Sequence, residues 1–365
     1  MAGMRMASPL LALRAGYSEA AVGVLLALYA LTQVFLSLPA GRFADRHGLK
    51  RPVAWSVGAA SLGGALAFAF PVFPVLCLSA LLTGGATGAA SIALQRHVGR
   101  AAHTPTQLKQ AFSWLAIGPA FSNFLGPFSA GLLIDHAGFR AAFFLMAVLP
   151  LVSWLFVRRT PELGSVQPPA DGKPTRAWDL WRSPMFRRLM LVNWLLSSAW
   201  DVHTFVVPIL GHQRGLSASV IGSILGAFAV AAVVVRILLP MLAARVHEWV
   251  LIAAAMAATA VIFTAYPFMQ SALAMGACSV LLGFALGMVQ PMIMSMLHQI
   301  TPEHRHGEAL GTRMMVINAS SVTMPMLFGA AGALVGVGPV FWTVAAAVGG
   351  GTWLAMRLRA DRSPG

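Results

Sequence analysis

Apolar segments long enough to cross a lipid bilayer recur along the whole chain. A helix needs about 20 apolar residues to cross roughly 30 Å of hydrocarbon, because inside lipid every backbone N–H and C=O must be paired within the protein. Of the 365 residues, 58% are hydrophobic and 10% are charged, whereas about a quarter of the residues of a soluble domain are charged. The sequence therefore predicts an all-helical membrane protein with eleven spans, after an apolar stub at 1–13 that is too short to span. The predicted spans are 18–40, 52–71, 73–95, 110–134, 139–157, 187–210, 217–241, 249–268, 270–297, 309–335 and 338–356.

The basic residues lie mainly in alternate loops. The formal net charge is +14, and a strong positive charge also occurs in nucleic-acid-binding proteins. Here the charge follows the loops, as expected when Lys and Arg are retained on the cytoplasmic side of a membrane. This distribution excludes a nucleic-acid partner and predicts a cytosolic C-terminus. The richly basic side carries Arg42, Arg46, Lys50, Arg51, Arg96, Arg100, Lys109, Arg158, Arg159, Lys173, Arg176, Arg182, Arg187, Arg188, Arg245, Arg305, Arg357, Arg359 and Arg362, and the opposite side carries Arg14, Arg140 and Arg214.

An internal repeat relates the two halves of the sequence. A shift of 199 positions, reduced to 198 near the end of each half, superposes proline and glycine residues, which have special backbone roles. The superposed pairs are Pro9 with Pro208, Gly16 with Gly215, Gly84 with Gly283, Gly88 with Gly287, Pro127 with Pro325, Gly131 with Gly329, and Gly138 with Gly336. Many transporters build a site that opens alternately to either side from such repeats. We predict two six-helix bundles with pseudo-two-fold symmetry at 1–157 and 186–365, joined by a central cytosolic loop at 158–185.

The repeat also predicts that the first transmembrane helix is truncated. Met1 aligns with Trp200, so the residues that begin the seventh span, from about Phe186 onward, have no counterpart before Met1. A truncated chain or a late start would explain the difference, and a signal peptide built on Arg5 and the apolar run after it is the alternative. Pro9 and Gly16 keep the register of their partners in the second half, which favours truncation.

The loop after the first complete span carries the most specific motif, GRFADRHGLKR at 41–51. Gly41 allows two helices to approach, Asp45 offers a carboxylate at a helix end, and Gly48 supplies a turn. The motif resembles the cytosolic loop motif of the major facilitator superfamily, and the resemblance implies a gating latch in which Asp45 pairs with a neighbouring helix dipole and with Arg96 or Arg100. The alternative is a solvated turn that only follows the positive-inside rule. The predicted gating residues are Gly41, Arg42, Asp45, Arg46, Gly48, Lys50, Arg51, Arg96 and Arg100.

Two further segments bear on the resemblance. The second-half equivalent of the loop motif is degraded, with Pro240 in the place of Gly41 and Ala244 in the place of Asp45. We therefore expect one latch to be kept and the other lost. The run SNFLGPFSAG at 122–131 is similar to the antiporter signature of the superfamily, which implies export through Gly126, Pro127 and Gly131. Helix packing alone is the alternative for these three residues.

Asp201 is the acid that lies deepest in a predicted span. A charged group inside a membrane costs about 2.5 to 3.5 kcal/mol on insertion scales and is seldom kept without a use. Asp201, followed by His203, is therefore our candidate for proton coupling. The repeat places Arg5 at nearly the same depth on the matching helix, so an Arg5–Asp201 pair that is purely structural is the alternative.

Other polar residues inside the spans are weaker candidates. Gln33, Asn123, Gln290 and Asn318 could bond a substrate or only a neighbouring helix. Arg236 and Arg313 are predicted to snorkel to the interface or to gate. Because Arg5, Arg236 and Arg313 outnumber Asp201, an organic anion is also a candidate cargo. His304 and His306, beside Glu303, predict a solvated loop.

These features predict a secondary transporter of the major facilitator superfamily that moves a small molecule by alternating access, with the proton gradient as its energy source and efflux as the preferred direction. Uptake of a small organic anion and a non-transporting receptor or scaffold are the alternatives. We find no enzyme motif, and we expect no cofactor and no metal, with Cys77 and Cys278 as buried apolar residues. The expected setting is the bacterial inner membrane, with a multi-pass chain that is monomeric.

Overall fold

The computed structural model describes residues 1–163, 178–216, 218–242 and 246–359, and within them every regular element is a helix. The first half contains α1 (Ala2–Arg14), α2 (Glu19–His47), α3 (Lys50–Ala69), α4 (Phe73–Ala101) and α5 (Pro105–Val157). The second half contains α6 (Trp178–Arg182), α7 (Pro184–Gln213), α8 (Ala218–Leu242), α9 (Glu248–Ala265), α10 (Ala272–Gly287), α11 (Val289–Ile300), α12 (His306–Val335) and α13 (Val337–Arg357). Helix α5 contains a break at Gly138, where φ is 81°.

The helices have the length and the surface of membrane spans. Large apolar side chains point outward, with Phe35 70%, Trp55 75% and Leu273 85% exposed, which indicates a lipid-facing surface in a chain of this composition. The protein is therefore a multi-pass membrane protein. Eight helical stretches among the described residues are long and apolar enough to cross a bilayer: Ala21–His47, Lys50–Ala69, Phe73–Ala101, Pro105–Val157, Val220–Leu239, Glu248–Phe268, Ala272–Ile300 and Val337–Arg357.

The predicted sequence repeat recurs as repeated local structure. Gly16 and Gly215 both take a positive φ, of 83° and 71°, and Gly138 and Gly336 do so at 81° and 84°. These are the pairs that the sequence shift superposes, and each ends one helix before the next begins.

Close helix contacts repeat in the same way. A methyl group on Gly84 would meet the backbone oxygen of Tyr29, and one on Gly283 would meet the backbone oxygen of Phe228. Tyr29 and Phe228 are themselves 199 positions apart, so one contact is made twice. Glycine is needed at both places because helices in lipid associate through close packing of small residues.

The described chain divides into two compact units, each of which takes one segment from the other half of the sequence. The first unit comprises Met1–Ala101, Gly118–Ala177 and Thr301–Ala319, and the second comprises Ala102–Ile117, Trp178–Ile300 and Ser320–Gly365. The start of α12 therefore packs with first-half helices, and the start of α5 packs with second-half helices. The division of the chain at 158–185 stays a prediction, and residues 164–177 of that loop lie outside the described residues.

Candidate functional site

Asp45 lies near the end of α2, where it receives donors from two other helices. Its Oδ1 accepts from Arg96 Nε at 2.7 Å and from the Gly307 backbone N–H at 2.8 Å, and its Oδ2 accepts from the Glu308 N–H at 2.9 Å. Gly307 and Glu308 belong to the first turn of α12, where backbone N–H groups have no partner within the helix and the helix dipole favours a negative charge. We call Asp45, Arg96 and this first turn the Asp45 cluster.

Glycines on both helices make the contact at the Asp45 cluster possible. A methyl group on Gly41 would overlap the carbonyl oxygen of Gly307, and one on Gly307 would lie 2.8 Å from Asp45 Oδ1. One turn further along, Gly311 lies against the carbonyl of Ser37 in the same way. The crossing of α2 and α12 therefore depends on small residues from both helices.

Further ion pairs surround the Asp45 cluster, and local sequence did not predict their acids. Arg42 Nη2 lies 3.0 Å from Glu308 Oε1, and Arg305 Nη2 lies 2.7 Å from Glu308 Oε2. Arg100 Nε lies 2.8 Å from Glu303 Oε1. Of the two arginines proposed as partners of Asp45, the structure therefore pairs Arg96 with Asp45 and Arg100 with Glu303. The two acids lie one and six residues after the loop proline Pro302, and these positions gave no signal of the pairing in the sequence.

The segment before α12 was predicted to be a solvated loop, and for His306 this is wrong. His306 is buried, with Nε2 3.0 Å from the Thr301 carbonyl oxygen. Arg305 beside it is also buried. The reason is that the start of α12 packs against first-half helices, a long-range contact that local polarity does not reveal.

The remaining motif residues take peripheral positions. Arg46 and Arg51 are exposed, and Lys50 begins α3. Gly48 ends α2 with φ of 74°. Glu162 accepts from the backbone N–H groups of Leu49 and Lys50, at 3.1 and 3.2 Å, and so caps the start of α3.

A second cluster of buried charged residues lies in the second unit, beside the degraded loop motif that predicts a lost latch. Glu248, 1% exposed, accepts from Ser295 Oγ at 3.1 Å and from Gln299 Nε2 at 2.7 Å. Lys109 Nζ lies 3.9 Å from the Glu248 carboxylate and donates to the Val246 carbonyl at 3.0 Å. We call Lys109, Glu248, Ser295 and Gln299 the Glu248 cluster.

The Glu248 cluster corresponds only in part to the surroundings of Asp45. A shift of 199 superposes Lys109 on Glu308, which exchanges a base for an acid, and Ser295 on Arg96. Glu248 itself falls on Leu49, so the repeat gave no signal of this acid. The comparison of the two motifs at the positions of Gly41 and Asp45 could not reveal the cluster. Ala244 lies outside the described residues.

Asp201 and His203 point to different surroundings. Asp201 Oδ2 accepts from Ser321 Oγ at 3.5 Å. His203 is fully buried, with Nε2 2.9 Å from Ser279 Oγ and its ring stacked on Phe228 at 4.0 Å. Residues two apart in a helix do not share a face, so the structure does not bring the two predicted coupling residues together.

The hydrogen bonds of His203 continue into a chain with a fixed direction. Tyr266 OH donates to the Met275 carbonyl at 3.2 Å, which uses its only proton. Its contact with Ser279 Oγ, at 2.8 Å, is then a bond that Ser279 donates, so Ser279 must accept from Nε2–H of His203. His203 thus carries a hydrogen on Nε2, and its bond to Ser279 joins α7 to α10.

Arg5 is exposed on α1. It belongs to the first unit and Asp201 to the second, so the Arg5–Asp201 pair stays a prediction.

The uncharged polar candidates have local partners or are exposed. Gln33 Nε2 lies 3.6 Å from the sulfur of Met1, and Asn318 donates to the Met314 carbonyl of its own helix at 2.8 Å. Asn123 is exposed, and Gln290 is half-buried in the first turn of α11. Their role in binding a substrate stays a prediction.

Arg236 and Arg313 do not snorkel, which corrects that expectation. They are only 7% and 3% exposed. Arg236 donates through Nε to the Gly287 carbonyl and through Nη1 to the Ala116 carbonyl, both at 3.1 Å. Backbone acceptors inside the second unit therefore hold this side chain, in place of the water or lipid headgroups that snorkelling requires.

The antiporter-like segment of α5 packs on α1. A methyl group on Gly126 would lie 2.9 Å from the backbone nitrogen of Gly3, and one on Gly131 would lie 3.3 Å from Met6 Cε. Pro127 lies inside the helix between them. These contacts account for small residues by packing, and a role in the direction of transport stays a prediction.

Repeated apolar helices, buried charges at helix ends and a few isolated polar groups inside the spans define a helical membrane transporter built from two related halves. The sequence model of the Major Facilitator Superfamily matches residues 1–278 and 189–365. The chain belongs to this family, and it is a transporter rather than an enzyme.

Two curated relatives are named for drug resistance, and one of them is named as an efflux pump. The chain is 33% identical over 137 residues to the tetracycline resistance protein, class B, of Escherichia coli, a match that covers 37% of this chain and 33% of the relative. It is 26% identical over 327 residues to the multi-drug resistance efflux pump PmrA homolog of Lactococcus lactis subsp. lactis (strain IL1403), a match that covers 86% of this chain and 78% of the relative. The first match thus spans only about a third of that relative's length.

Solved transporters share the fold. The human organic anion transporter MFSD10 (TETRAN) superposes with a TM-score of 0.79 at 18% identity, covering 96% of this chain and 89% of the other. A bacterial homologue of the iron transporter ferroportin in the outward-facing state gives 0.78 at 17% identity, covering 99% and 98%. At these identities the likeness concerns the fold alone.

Proposed function

We propose that the protein is a secondary active transporter that moves a small molecule by alternating access, with the Asp45 cluster as a gating latch on the cytosolic side. The observation that carries the proposal is the Asp45 carboxylate, which accepts from one charged and two backbone donors on two other helices. Such a contact stabilises one state strongly and is lost as a unit when α12 moves away from α2. A contact that is made in one state and lost in the other is the kind of element on which switching transitions depend.

Asp201 is the coupling residue in this proposal. Among the described residues of its unit, its carboxylate has a hydroxyl donor at 3.5 Å and no cation within salt-bridge distance. An acid in this setting is free to exchange a proton during the transport cycle. The purely structural alternative, a pair with Arg5, is separated from coupling by the same experiment.

Gradient-driven flux in proteoliposomes tests the coupling. We expect Asp201→Asn to abolish flux that is driven by a proton gradient and to spare exchange of substrate across the membrane, because exchange needs no net proton transfer. Asp135→Asn, at an exposed acid of α5, is the matched control and should leave both activities intact. An unchanged pH dependence of flux in Asp201→Asn would remove this residue from the coupling role.

Efflux is the proposed direction. The antiporter-like segment around Gly126 and Pro127 supports it, as does the curated relative that is named as a multi-drug resistance efflux pump. Uptake of a small organic anion is the rival, and the organic anion transporter among the structural neighbours supports keeping it. Deletion of the gene should raise cellular accumulation of the cargo in the first case and lower it in the second. A scaffold would leave accumulation unchanged and would give no flux in proteoliposomes.

The proposal includes the setting of the protein. In this proposal the chain crosses the membrane in eleven complete spans that follow α1. The protein lies in a bacterial inner membrane as a monomer with its C-terminus in the cytosol, as the loop charges predict. The proton gradient supplies the energy, and no cofactor is required.

A further inference from the structure

The backbone hydrogen bonds of the helical stretch Ala272–Ile300 are broken at one place, Met288, which itself keeps helical φ and ψ of −79° and −18°. Helix α10 ends at Gly287 and α11 begins at Val289. The Gly287 carbonyl would normally accept from the N–H four residues later, but that residue is Pro291, which has no N–H. Arg236 Nε donates to this carbonyl at 3.1 Å. A buried arginine of α8 therefore replaces the missing backbone donor.

The positive charge of Arg236 is not explained by this capping role. A neutral side chain such as that of Gln or Ser can donate to a carbonyl, and it would avoid the cost of a charge inside a membrane. The second bond of Arg236, to the Ala116 carbonyl, is also made to a neutral acceptor. Three of its five N–H groups, including both on Nη2, have no acceptor among the described residues, and no carboxylate there pairs with it.

The surroundings of Arg236 are aromatic. Its guanidinium carbon lies 6.0 Å from the ring centre of Trp200, and the Trp200 ring meets Phe228 edge to face at 4.6 Å. Trp200 is half-buried and precedes Asp201 in α7. The site thus combines an incompletely bonded cation, an aromatic surface and a helix from which Pro291 removes one backbone hydrogen bond. Polar and charged groups inside membrane spans commonly mark substrate pathways.

The first half lacks the equivalent group. The shift of 199 places Ser37 at the position of Arg236 and Ile92 at that of Pro291, and α4 runs unbroken over Phe73–Ala101. The repeated fold therefore forms without a charge and without a break at this place. A feature confined to one half is more readily explained by the cargo than by the architecture that both halves share.

We propose that Arg236 binds the carboxylate or sulfonate group of an organic anion, whose apolar body packs against Trp200. This inference rests on the proposed transport function and specifies its cargo. The guanidinium offers both Nη2 N–H groups to the anion, and a charged acceptor bonds them more strongly than a carbonyl does. In this proposal Gln290, in the first turn of α11, adds a neutral hydrogen-bond donor for the anion.

Ligand-dependent thermal stability of the purified protein tests the proposal. The probes are 2-naphthoate and 2-naphthalenesulfonate, with 2-naphthamide as an uncharged probe of the same ring. Arg236→Gln keeps a donor for the Gly287 carbonyl and removes the charge, and Arg236→Lys keeps the charge and removes the planar group. We expect both anions to raise the Tm of the natural chain and 2-naphthamide to leave it unchanged. Arg236→Gln should bind the anions at least about tenfold more weakly, and Arg236→Lys should retain part of the binding.

Three results would overturn the assignment. The first is that the anions stabilise the natural chain and Arg236→Gln equally. The second is that 2-naphthoate and 2-naphthamide stabilise the natural chain equally. The third is that neither anion shifts the Tm at about 10 mM, a concentration at which a site of millimolar affinity is largely filled. If Arg236→Gln fails to fold, the comparison of anion with amide on the natural chain and on Arg236→Lys decides. If anions bind in a way that depends on Arg236 but no gradient-driven flux is found, this inference stands and the proposed transport function is rejected. If neutral or cationic compounds are transported and Arg236→Gln leaves that flux intact, the transport function stands and this inference is rejected.

Discussion

Asp45 shows how much of the chemistry of this protein depends on single side chains at helix ends. Its carboxylate is shared between Arg96 and the first turn of α12, and Arg96 is itself buried. Removal of the carboxylate leaves a buried guanidinium without its partner and two N–H groups without acceptors. Hydrogen bonds to charged groups contribute about 1.5 to 3 kcal/mol each, so the state that contains this contact depends strongly on one residue.

The first prediction concerns Asp45. We expect Asp45→Ala to slow turnover about tenfold or more, because the loss of one charged hydrogen bond shifts the equilibrium between the two states by about that factor. Substrate affinity should change little, since the residue lies at a helix end outside the apolar part of the spans. Turnover in proteoliposomes and binding to purified protein measure the two effects. Arg46→Ala, at an exposed residue of the same loop, is the control, and equal turnover in Asp45→Ala and the natural chain would reject the latch.

At the scale of helices, each unit joins helix ends through a buried charged pair. In the first unit an acid on α12, Glu308, pairs with Arg42 on α2. In the second unit a base on α5, Lys109, lies beside an acid that begins α9. Lys109 and Glu308 are related by the repeat and carry opposite charges, whereas their partners are not related by it.

The second prediction uses a double-mutant cycle on the Glu248 cluster. Lys109→Met and Glu248→Gln should each lower the Tm in detergent, by the equivalent of about 1 to 3 kcal/mol, because each leaves a buried group without its partner. The double variant removes both charges and should recover much of the loss, which is the signature of a direct interaction. Strictly additive losses would show that the two residues act independently, and His247→Ala at the exposed residue before α9 controls for changes to the helix start.

At the scale of the whole molecule, one packing plan is used twice. The pairs Gly16 with Gly215 and Gly138 with Gly336 have the same backbone conformation, and Gly84 and Gly283 make the same close contact. Both units also exchange one segment, Ala102–Ile117 for Thr301–Ala319, so the repeat extends to the way in which the ends of α5 and α12 pack.

The third prediction follows from this repetition. Gly84→Ala and Gly283→Ala should destabilise the protein by similar amounts, about 1 to 3 kcal/mol, because each new methyl group meets a helix backbone that has no room to move aside. Gly58→Ala and Gly276→Ala, in helices where the added methyl group meets no atom within 4 Å, should be neutral or stabilising by up to about 1 kcal/mol. Thermal stability in detergent measures all four, and a large difference between the first two variants would show that the halves are not equivalent in packing.

The sequence predicted the helices well because the requirement that forms them is local. Every backbone polar group in lipid must be paired, so an apolar run of the right length specifies a helix whatever its neighbours are. The turns at Gly16, Gly48, Gly138, Gly215 and Gly336 are local in the same sense, since each takes a positive φ that glycine adopts without strain. The loop motif also placed Asp45 correctly at the end of a helix, with Arg96 among its two proposed partners.

The partners of the charged residues were decided by tertiary structure. Glu303, Glu308 and Lys109 lie far in sequence from Arg100, Arg42 and Glu248, and each pair forms only because two helix ends meet. His306 was predicted to be solvated but is buried, and Arg236 was predicted to snorkel but is held by backbone carbonyls. His203 follows Asp201 in the sequence but faces a different helix. The sequence by itself determined which segments form long helices, their order and their repetition, because those follow from the bilayer and the backbone. Which face of each helix meets which neighbour depends on side-chain packing over the whole unit, and only the tertiary structure decided it.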